Sequence, residues 1–285
     1  MTLDLTTLHP RFGAELRGVD LTRPMSDAAF AEIRAAFDAY SVLVIPGPVL
    51  TDDQQIAFSD RFGHVQVSFS GNLTGGSKLS RQSNIDPKTD AIMPPDHDRM
   101  IYQKGNRLWH SDSSYRASGS LCSILAAREV PPVGGDTEFV STRAAFEDLP
   151  GDLKRLIEGL VVEHSIGYSR DLATPGILTA AQKREAPPAL HRLVQVNPAN
   201  GRKSLLIGAH ASHIDGMPVE AGRALLADLL ERATAPENIY SHAWRDGDVV
   251  IWDNRCILHR ATPFDTQRHR RWLERTTITG ERPTA

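Results

Sequence analysis

The stretch SLCSILAAREVPPVGGDTEFV, from Ser120 to Val140, sets the pattern from which the fold can be read. An apolar run from Ser120 to Ala126 is cut off by Pro131, Pro132, Gly134 and Gly135, and a second run extends from Thr137 to Val140. Each run is short and bounded by residues that favour turns, so both are expected to be β-strands. The same grammar recurs at Leu160 to Ser165, Leu193 to Val196, Ser204 to Ile207, Asp248 to Trp252 and Arg270 to Thr279. Many short strands separated by turn signals predict a sandwich or barrel. One strong helix interrupts them, with Pro218 at an early helical position and Leu225, Leu226, Leu229 and Leu230 as its apolar stripe.

Working outward, Ser26 is a suitable N-cap for a helix whose Phe30, Ile33, Phe37 and Tyr40 share one face. A buried strand is expected from Ser41 to Ile45, and Thr51 to Gln54 has capping-box spacing before a short helix to about Phe62. From His64 to Gly105 no period is sustained, and Gly71, Gly75, Gly76, Pro87, Pro94 and Pro95 punctuate the chain. Residues 64–105 are therefore expected to be a long loop, either an active-site lid or a tolerated surface insertion, and their place directly before the motif described next favours a lid. With no repeat and no linker, residues 1–285 read as one domain.

The composition, 40% hydrophobic and 24% charged, allows a sizeable core, and barrel-type β folds often use 285 residues in one domain. A net charge of −3 and a pI near 6.4 leave no electrostatic footprint for nucleic acid or an anionic membrane, so any partner must be argued from a site. The cysteines, Cys122 and Cys256, are far apart and form no CxxC, which excludes a disulfide scaffold and a zinc knuckle. No apolar run approaches the length of a membrane span, and a cytoplasmic location is expected. Homo-oligomerisation is compatible with the chain, but no sequence feature demands it.

The chemistry concentrates in Trp109-His110-Ser111-Asp112 and in His259, which lies just downstream of Trp252-Asp253-Asn254-Arg255. Two imidazoles and one carboxylate on one face of an octahedron leave the remaining positions open, which suits a non-haem Fe(II) oxygenase better than a closed structural site. In an extended strand residues i and i+2 point to the same side, so His110 and Asp112 could grip one metal from one strand end. The C-terminal run adds an independent argument. By the same period Arg271, Leu273, Arg275 and Thr277 share a face; if that face is interior, its guanidinium groups need anions there, such as a dicarboxylate cosubstrate and an acidic substrate. His269, Arg268 and Arg270 read as a solvated basic turn.

The strings NRLWHSDSSY (Asn106 to Tyr115), GGDTEF (Gly134 to Phe139), WDNRCILHR (Trp252 to Arg260) and RRWLERTT (Arg270 to Thr277) resemble the taurine/2,4-dichlorophenoxyacetate dioxygenase family. The segment GRKSLLIGAHASHIDGMPVEAGRALLADLLE, from Gly201 to Glu231, is similar to the 2,4-dichlorophenoxyacetate branch in particular. The resemblance implies a β-rich fold with a double-stranded β-helix (jelly-roll) core and flanking α-helices. It implies Fe(II) held by His110, Asp112 and His259, with 2-oxoglutarate and O2 as cosubstrates and ascorbate as an activator in vitro. It also implies that Arg271, helped by Thr137, holds the distal carboxylate of 2-oxoglutarate, that Trp252 packs beside it, and that Arg275 lies between cosubstrate and substrate. Asn106 matches a substrate-pocket position; His210 and Ser114 are further candidates, each with an alternative structural role. An intact Asp112 points to oxygenation, since halogenating relatives carry a small residue there.

The expected reaction is hydroxylation of an aryloxyacetate-like acid beside its carboxylate, the ether then breaking to a phenol and a carbonyl acid, with succinate and CO2 formed. A taurine or alkylsulfonate dioxygenase on the same machinery, a zinc-dependent hydrolase and a binding protein without turnover remain as alternatives.

Overall fold

A computed structural model describes residues 3–72 and 74–280. In chain order the strands are β1 (Asp4–His9), β2 (Phe12–Arg17), β3 (Val42–Ile45), β4 (Ser80–Ser83), β5 (Ser120–Glu129), β6 (Thr137–Ser141), β7 (Val161–His164) and β8 (Ala189–Arg192). They continue as β9 (Val194–Val196), β10 (Lys203–Leu205), β11 (Ala211–Ile214), β12 (Tyr240–His242), β13 (Val249–Asp253), β14 (Ile257–Ala261) and β15 (Trp272–Thr279). The major sheet runs β1-β2-β3-β13-β5-β15-β4, and smaller sheets are formed by β12-β6-β14, β11-β7-β8 and β10-β9. Every pairing in the major sheet is antiparallel except β2 with β3.

Central strands are buried on both faces, which explains why β13 reads as a continuous apolar run. Val249 and Ile251 pack with Leu43, Ile45 and Ile124 against Ile33, Phe37, Phe58 and Phe62 from the helices Asp27–Tyr40 and Asp52–Asp60. Val250 and Trp252 face the opposite way, where they join Val42, Val44, Leu125 and Leu273 with Phe139 of β6 and Ile257 of β14. The two-residue period therefore separates a helix-covered face from an interior face shared with the second sheet. β15 obeys the same division. Thr276 bonds the Ser59 hydroxyl and the Glu274 carbonyl accepts from Gln55 on the helix side, while Leu273 is interior and Arg271 and Arg275 line a cavity on its own side.

Local signals marked three of the helices, whereas Asp98–Gln103, Thr142–Asp148, Gly151–Ile157, Ile166–Ala173 and Ala180–Glu185 were not anticipated. Ser26 caps the first, its side chain accepting from the Ala29 amide, and Thr51 with Gln54 forms the capping box of the second. The helix Val219–Ala233 begins after Pro218 and buries Leu226 and Leu229 against Val162, Leu205 and Ile214. None of the described helices is long and apolar enough to cross a membrane.

The span 64–105 departs from the expected uninterrupted loop. It contributes β4, which pairs with β15 at the edge of the major sheet, and the helix Asp98–Gln103, capped by the His97 ring; a 3-10 turn over Lys104–Arg107 follows. Ser-Arg-Gln-Ser is wholly polar, so the strand had no apolar alternation to announce it; tertiary pairing supplies what propensity lacks. Arg270, expected to be solvated, pairs with Asp90 of this segment and with Glu129 of β5. The hairpin of β1 and β2 and the short strands β8, β11, β12 and β14 also escaped the pattern reading.

Beneath the β11-β7-β8 sheet His164 is completely buried, its Nδ1 paired with the Ser114 hydroxyl at 3.1 Å and its ring edge-on to His191. Burial, reinforced by His191, pushes the His164 pKa down to about 3. The folded protein thus resists a proton that the unfolded chain accepts near pH 6.5. Its contribution to stability is intact above that value and is lost as pH falls from there toward about 3. In metal-free protein, His164→Gln should remove about one proton from the acid limb of the stability curve. Denaturant titrations between pH 6.5 and 4 should then show a shallower loss of stability with falling pH than in the wild type.

Candidate metal centre

His110 and His259 meet through their backbones. The His110 amide donates to the His259 carbonyl at 3.1 Å and the His259 amide to the His110 carbonyl at 2.9 Å, an isolated antiparallel bridge. His259 stands on β14, whereas His110 precedes a turn that carries Asp112 and a left-handed Ser113. The His110–Asp112 pair therefore sits at a bridge and turn and not at the end of a continuous strand. Donor atoms of His110, Asp112 and His259 all lie within 4.8 Å of one another, and all three residues are buried.

Each donor is held by a separate device. His110 Nδ1 is 2.7 Å from the Leu108 carbonyl, which can only accept, so the proton of the neutral ring resides there and Nε2 keeps its lone pair. The His259 ring packs against Trp252 at 4.5 Å between centroids and stacks with Phe139. Asp112 receives the Ser123 hydroxyl on Oδ2 and Arg275 Nη1 on Oδ1, at 2.7 and 2.5 Å. Burial lowers the pKa of both histidines. Burial also acts to raise that of Asp112, but the Arg275 charge, with His259, His110 and Ser123, outweighs it and holds the carboxyl below the usual range. At neutral pH the cluster is two neutral imidazoles and one carboxylate, the protonation state a metal requires. His110 Nε2 and His259 Nε2 lie 3.9 and 3.7 Å from Asp112 oxygens, too far for good hydrogen bonds, so the converging lone pairs fit a metal ion between them.

Trp252-Asp253-Asn254-Arg255 turns out to be a bracing unit. Asn254 Oδ1 accepts from the Asp112 amide and from Trp252 Nε1, and its Nδ2 donates to the Ser123 hydroxyl. Asp253 takes Nε and Nη2 of Arg255, both at 2.8 Å, and closes the turn from β13 to β14. Asn254 and Ser123 were not singled out in the sequence; the adjacency of Asn254 to Trp252 was the available signal.

Two cavities meet at the cluster. The first is lined by Thr137, Trp252, His259 and Arg271, the second by Tyr102, Asp112, Tyr115, Arg170 and His210, while Gln82, Gln103, Asn106, His110 and Arg275 border both. Arg271 is buried, and among the described residues its guanidinium donates only to the Gly135 carbonyl; burial, partly offset by Asp136, pulls its pKa down to about 10. Gly135 has φ +71°, and a Cβ there would sit 3.1 Å from Arg271 Nε, so the Gly-Gly turn is part of this seat. The Thr137 hydroxyl accepts from Trp244 Nε1 at 3.0 Å, which leaves its own proton to donate.

Several expected residues are placed differently. Arg275 borders both cavities, as expected of a residue between them, and also pairs with Asp112. Ser114 borders neither cavity; it is buried on His164, so its hydroxyl braces the turn. His210 does face the second cavity, edge-on to His110 and Tyr115, with Nδ1 bonded to Ser169 at 2.8 Å.

A buried two-histidine, one-carboxylate site bordered by two cavities defines a mononuclear metalloenzyme of the oxygenase type. Residues 4–277 match the family described as taurine catabolism dioxygenase TauD, TfdA family, and the chain belongs to that family. It is 40% identical, over 98% of both chains, to an alpha-ketoglutarate-dependent 2,4-dichlorophenoxyacetate dioxygenase of Cupriavidus pinatubonensis. It is 38% identical to an (S)-phenoxypropionate/alpha-ketoglutarate-dioxygenase of Sphingobium herbicidovorans, over 95% of this chain and 94% of the relative. The crystal structure of AAD-2 in complex with Mn(II) and N-oxalylglycine superposes with a TM-score of 0.91 at 39% identity, covering 100% of this chain and 99% of the other.

Separate His110→Ala, Asp112→Ala and His259→Ala variants should each weaken Mn2+ or Fe2+ binding by more than about a hundredfold, since even outer partners of metal ligands are worth ten- to a hundredfold. Calorimetric titration of the metal checks this, with thermal unfolding as the control for folding.

Proposed function

We propose that the protein is an Fe(II)- and 2-oxoglutarate-dependent dioxygenase that hydroxylates an aryloxyacetate-like carboxylic acid at the carbon beside its carboxylate. The ether then collapses to a phenol and a carbonyl acid, while 2-oxoglutarate and O2 yield succinate and CO2. The observation that carries this reading is Arg271: a buried guanidinium with no carboxylate partner among the described residues, opening on the cavity that holds two of the three metal-site donors. A dicarboxylate is the ligand such a pairing suits, one end on the arginine and the other toward the metal.

His110, Asp112 and His259 would hold the iron, which when bound supplies the oxygen activation that couples 2-oxoglutarate decarboxylation to hydroxylation. Arg271 and the free proton of Thr137 orient the distal carboxylate, and Trp252 forms the apolar wall beside it. Arg275 keeps Asp112 ionised and fixed, and its buried Nε remains unpartnered at the junction of the cavities. Asn106 and His210 belong to the substrate side. The span 64–105 acts as a lid: Gln82, Met100, Gln103 and Lys104 bring it to the cavity wall. The β12-β6-β14 sheet against the major sheet supports a jelly-roll core for one catalytic domain. Two free, buried cysteines suit the cytoplasm, and ascorbate would sustain the iron in vitro. The aryloxy acid is favoured over taurine because the relatives at 38% and 40% identity are named for phenoxypropionate and 2,4-dichlorophenoxyacetate.

Purified protein with Fe(II), 2-oxoglutarate, ascorbate and O2 should release a phenol from phenoxyacetates in step with succinate. Coupled turnover of taurine and of no aryloxy acid would transfer the enzyme to the sulfonate branch; turnover without O2 would indicate a hydrolase. Arg271→Ala removes a charge-assisted contact and should raise the 2-oxoglutarate requirement by about ten- to a hundredfold, with metal affinity little changed.

A further inference from the structure

Trp244 stands outside the metal site yet fixes one of the groups that face it. It follows β12 by two residues, and His242 at the end of that strand pairs in register with Thr137 of β6. The indole Nε1 donates to the Thr137 hydroxyl at 3.0 Å in a buried setting. Its ring is clamped. It joins Phe12, Phe139, Val250 and Trp252 in the core on the interior face of the major sheet, and His242 meets it edge-on, 4.7 Å between centroids. His242 is held in turn, with Tyr240 Oη 3.2 Å from Nδ1 and Asp248 Oδ2 3.2 Å from Nε2.

An indole nitrogen donates and never accepts, so chemistry fixes the direction of this bond. The Thr137 oxygen receives the indole proton, and among the described residues no group accepts the proton of the hydroxyl itself. An oriented donor is thereby left at the wall of the cavity that also holds Arg271. Arg271 is tied to the carbonyl of Gly135, two residues before Thr137, so one short turn brings both donors to the same seat. Without the indole the hydroxyl would be free to rotate and to present a lone pair in place of its proton, an arrangement that repels a carboxylate.

We propose that Trp244 is a positioning residue for the cosubstrate: its N–H commits the Thr137 hydroxyl to donating into the cavity, so that the seat formed with Arg271 takes a distal carboxylate. Trp244 borders neither cavity and acts through Thr137 alone. The inference rests on the reading of the protein as a 2-oxoglutarate-dependent enzyme and is independent of the organic substrate.

The test is calorimetric binding of two oxo acids to Mn2+-loaded protein. 2-Oxoglutarate carries the distal carboxylate; 2-oxopentanoate keeps the same metal-binding end and chain length but has a methyl group in its place. Trp244→Phe, which removes the N–H and keeps an aromatic ring, should weaken 2-oxoglutarate by about three- to tenfold and 2-oxopentanoate by no more than about twofold. In a Thr137→Val background, where no hydroxyl is left to orient, Trp244→Phe should change 2-oxoglutarate affinity by less than about twofold. In turnover the loss should fall on the 2-oxoglutarate KM and leave kcat within about twofold. Replacing Trp244 by β-(3-benzothienyl)alanine, which keeps the bicyclic shape and lacks the N–H, should give the same pattern and serves if Trp244→Phe does not fold. Unchanged 2-oxoglutarate affinity, an equal loss for both oxo acids, or a full loss that persists in the Thr137→Val background overturns the proposal while the cosubstrate reading stands. A wild type that does not bind 2-oxoglutarate overturns that reading and the proposal with it.

Discussion

The reciprocal backbone pairing of His110 with His259 is the constraint on which the site depends. It joins the segment that follows the span 64–105 to a strand of the β12-β6-β14 sheet, and its paired hydrogen bonds set two imidazoles side by side, tilted by 44° with centroids 4.2 Å apart. Its energy is modest, on the order of 1 kcal/mol per bond. Its importance is geometric, because a ligand displaced by one strand register would face the wrong side. Asp112 then follows from the turn after His110, and Asn254 ties that turn to the end of β13. A shift in the packing of the sheets would therefore be felt at every donor atom.

Electrostatics make the site receptive. Among the described residues that line the two cavities, Asp112 is the one carboxylate, whereas Arg170, Arg271 and Arg275 are arginines there, and of these Arg275 pairs with it. A bound metal ion adds further positive charge. Such an interior is stabilised by anions, and each anion that binds the folded state alone contributes to its stability. Anionic ligands in the two cavities would balance the excess. This arrangement also explains why the glycines at 105 and 135 recur beside guanidinium groups: a side chain at either position would occupy the volume that the cation needs.

The span 64–105 shows how tertiary pairing overrides local preference. Polar β4 is stable as a strand because β15 offers it a partner, with Arg81 stacked on Trp272 and paired with Glu274. Its Gln82 reaches the cavity and orients Asn106, which in turn meets Arg170. The chain from sheet edge to cation is thus continuous, and part of the second cavity is lined by the segment with the weakest local signal.

The sequence by itself determined the β-rich character, the capped helices, the apolar stripe of Val219–Ala233, the three donor residues and the inward face that bears Arg271 and Arg275. These are properties of nearest neighbours: a period of two or of 3.6 residues, a capping hydroxyl or a donor's chemistry is complete within a few positions. Tertiary structure alone decided that Arg275 answers Asp112, that Ser114 braces His164 and does not face the cavity, that Asn254 and Ser123 lock the carboxylate, and that Arg170 stands uncompensated in the second cavity. Each of these depends on a partner from another element, and the balance of a buried charge is set by whichever groups the fold brings within a few ångströms. No local pattern records that proximity.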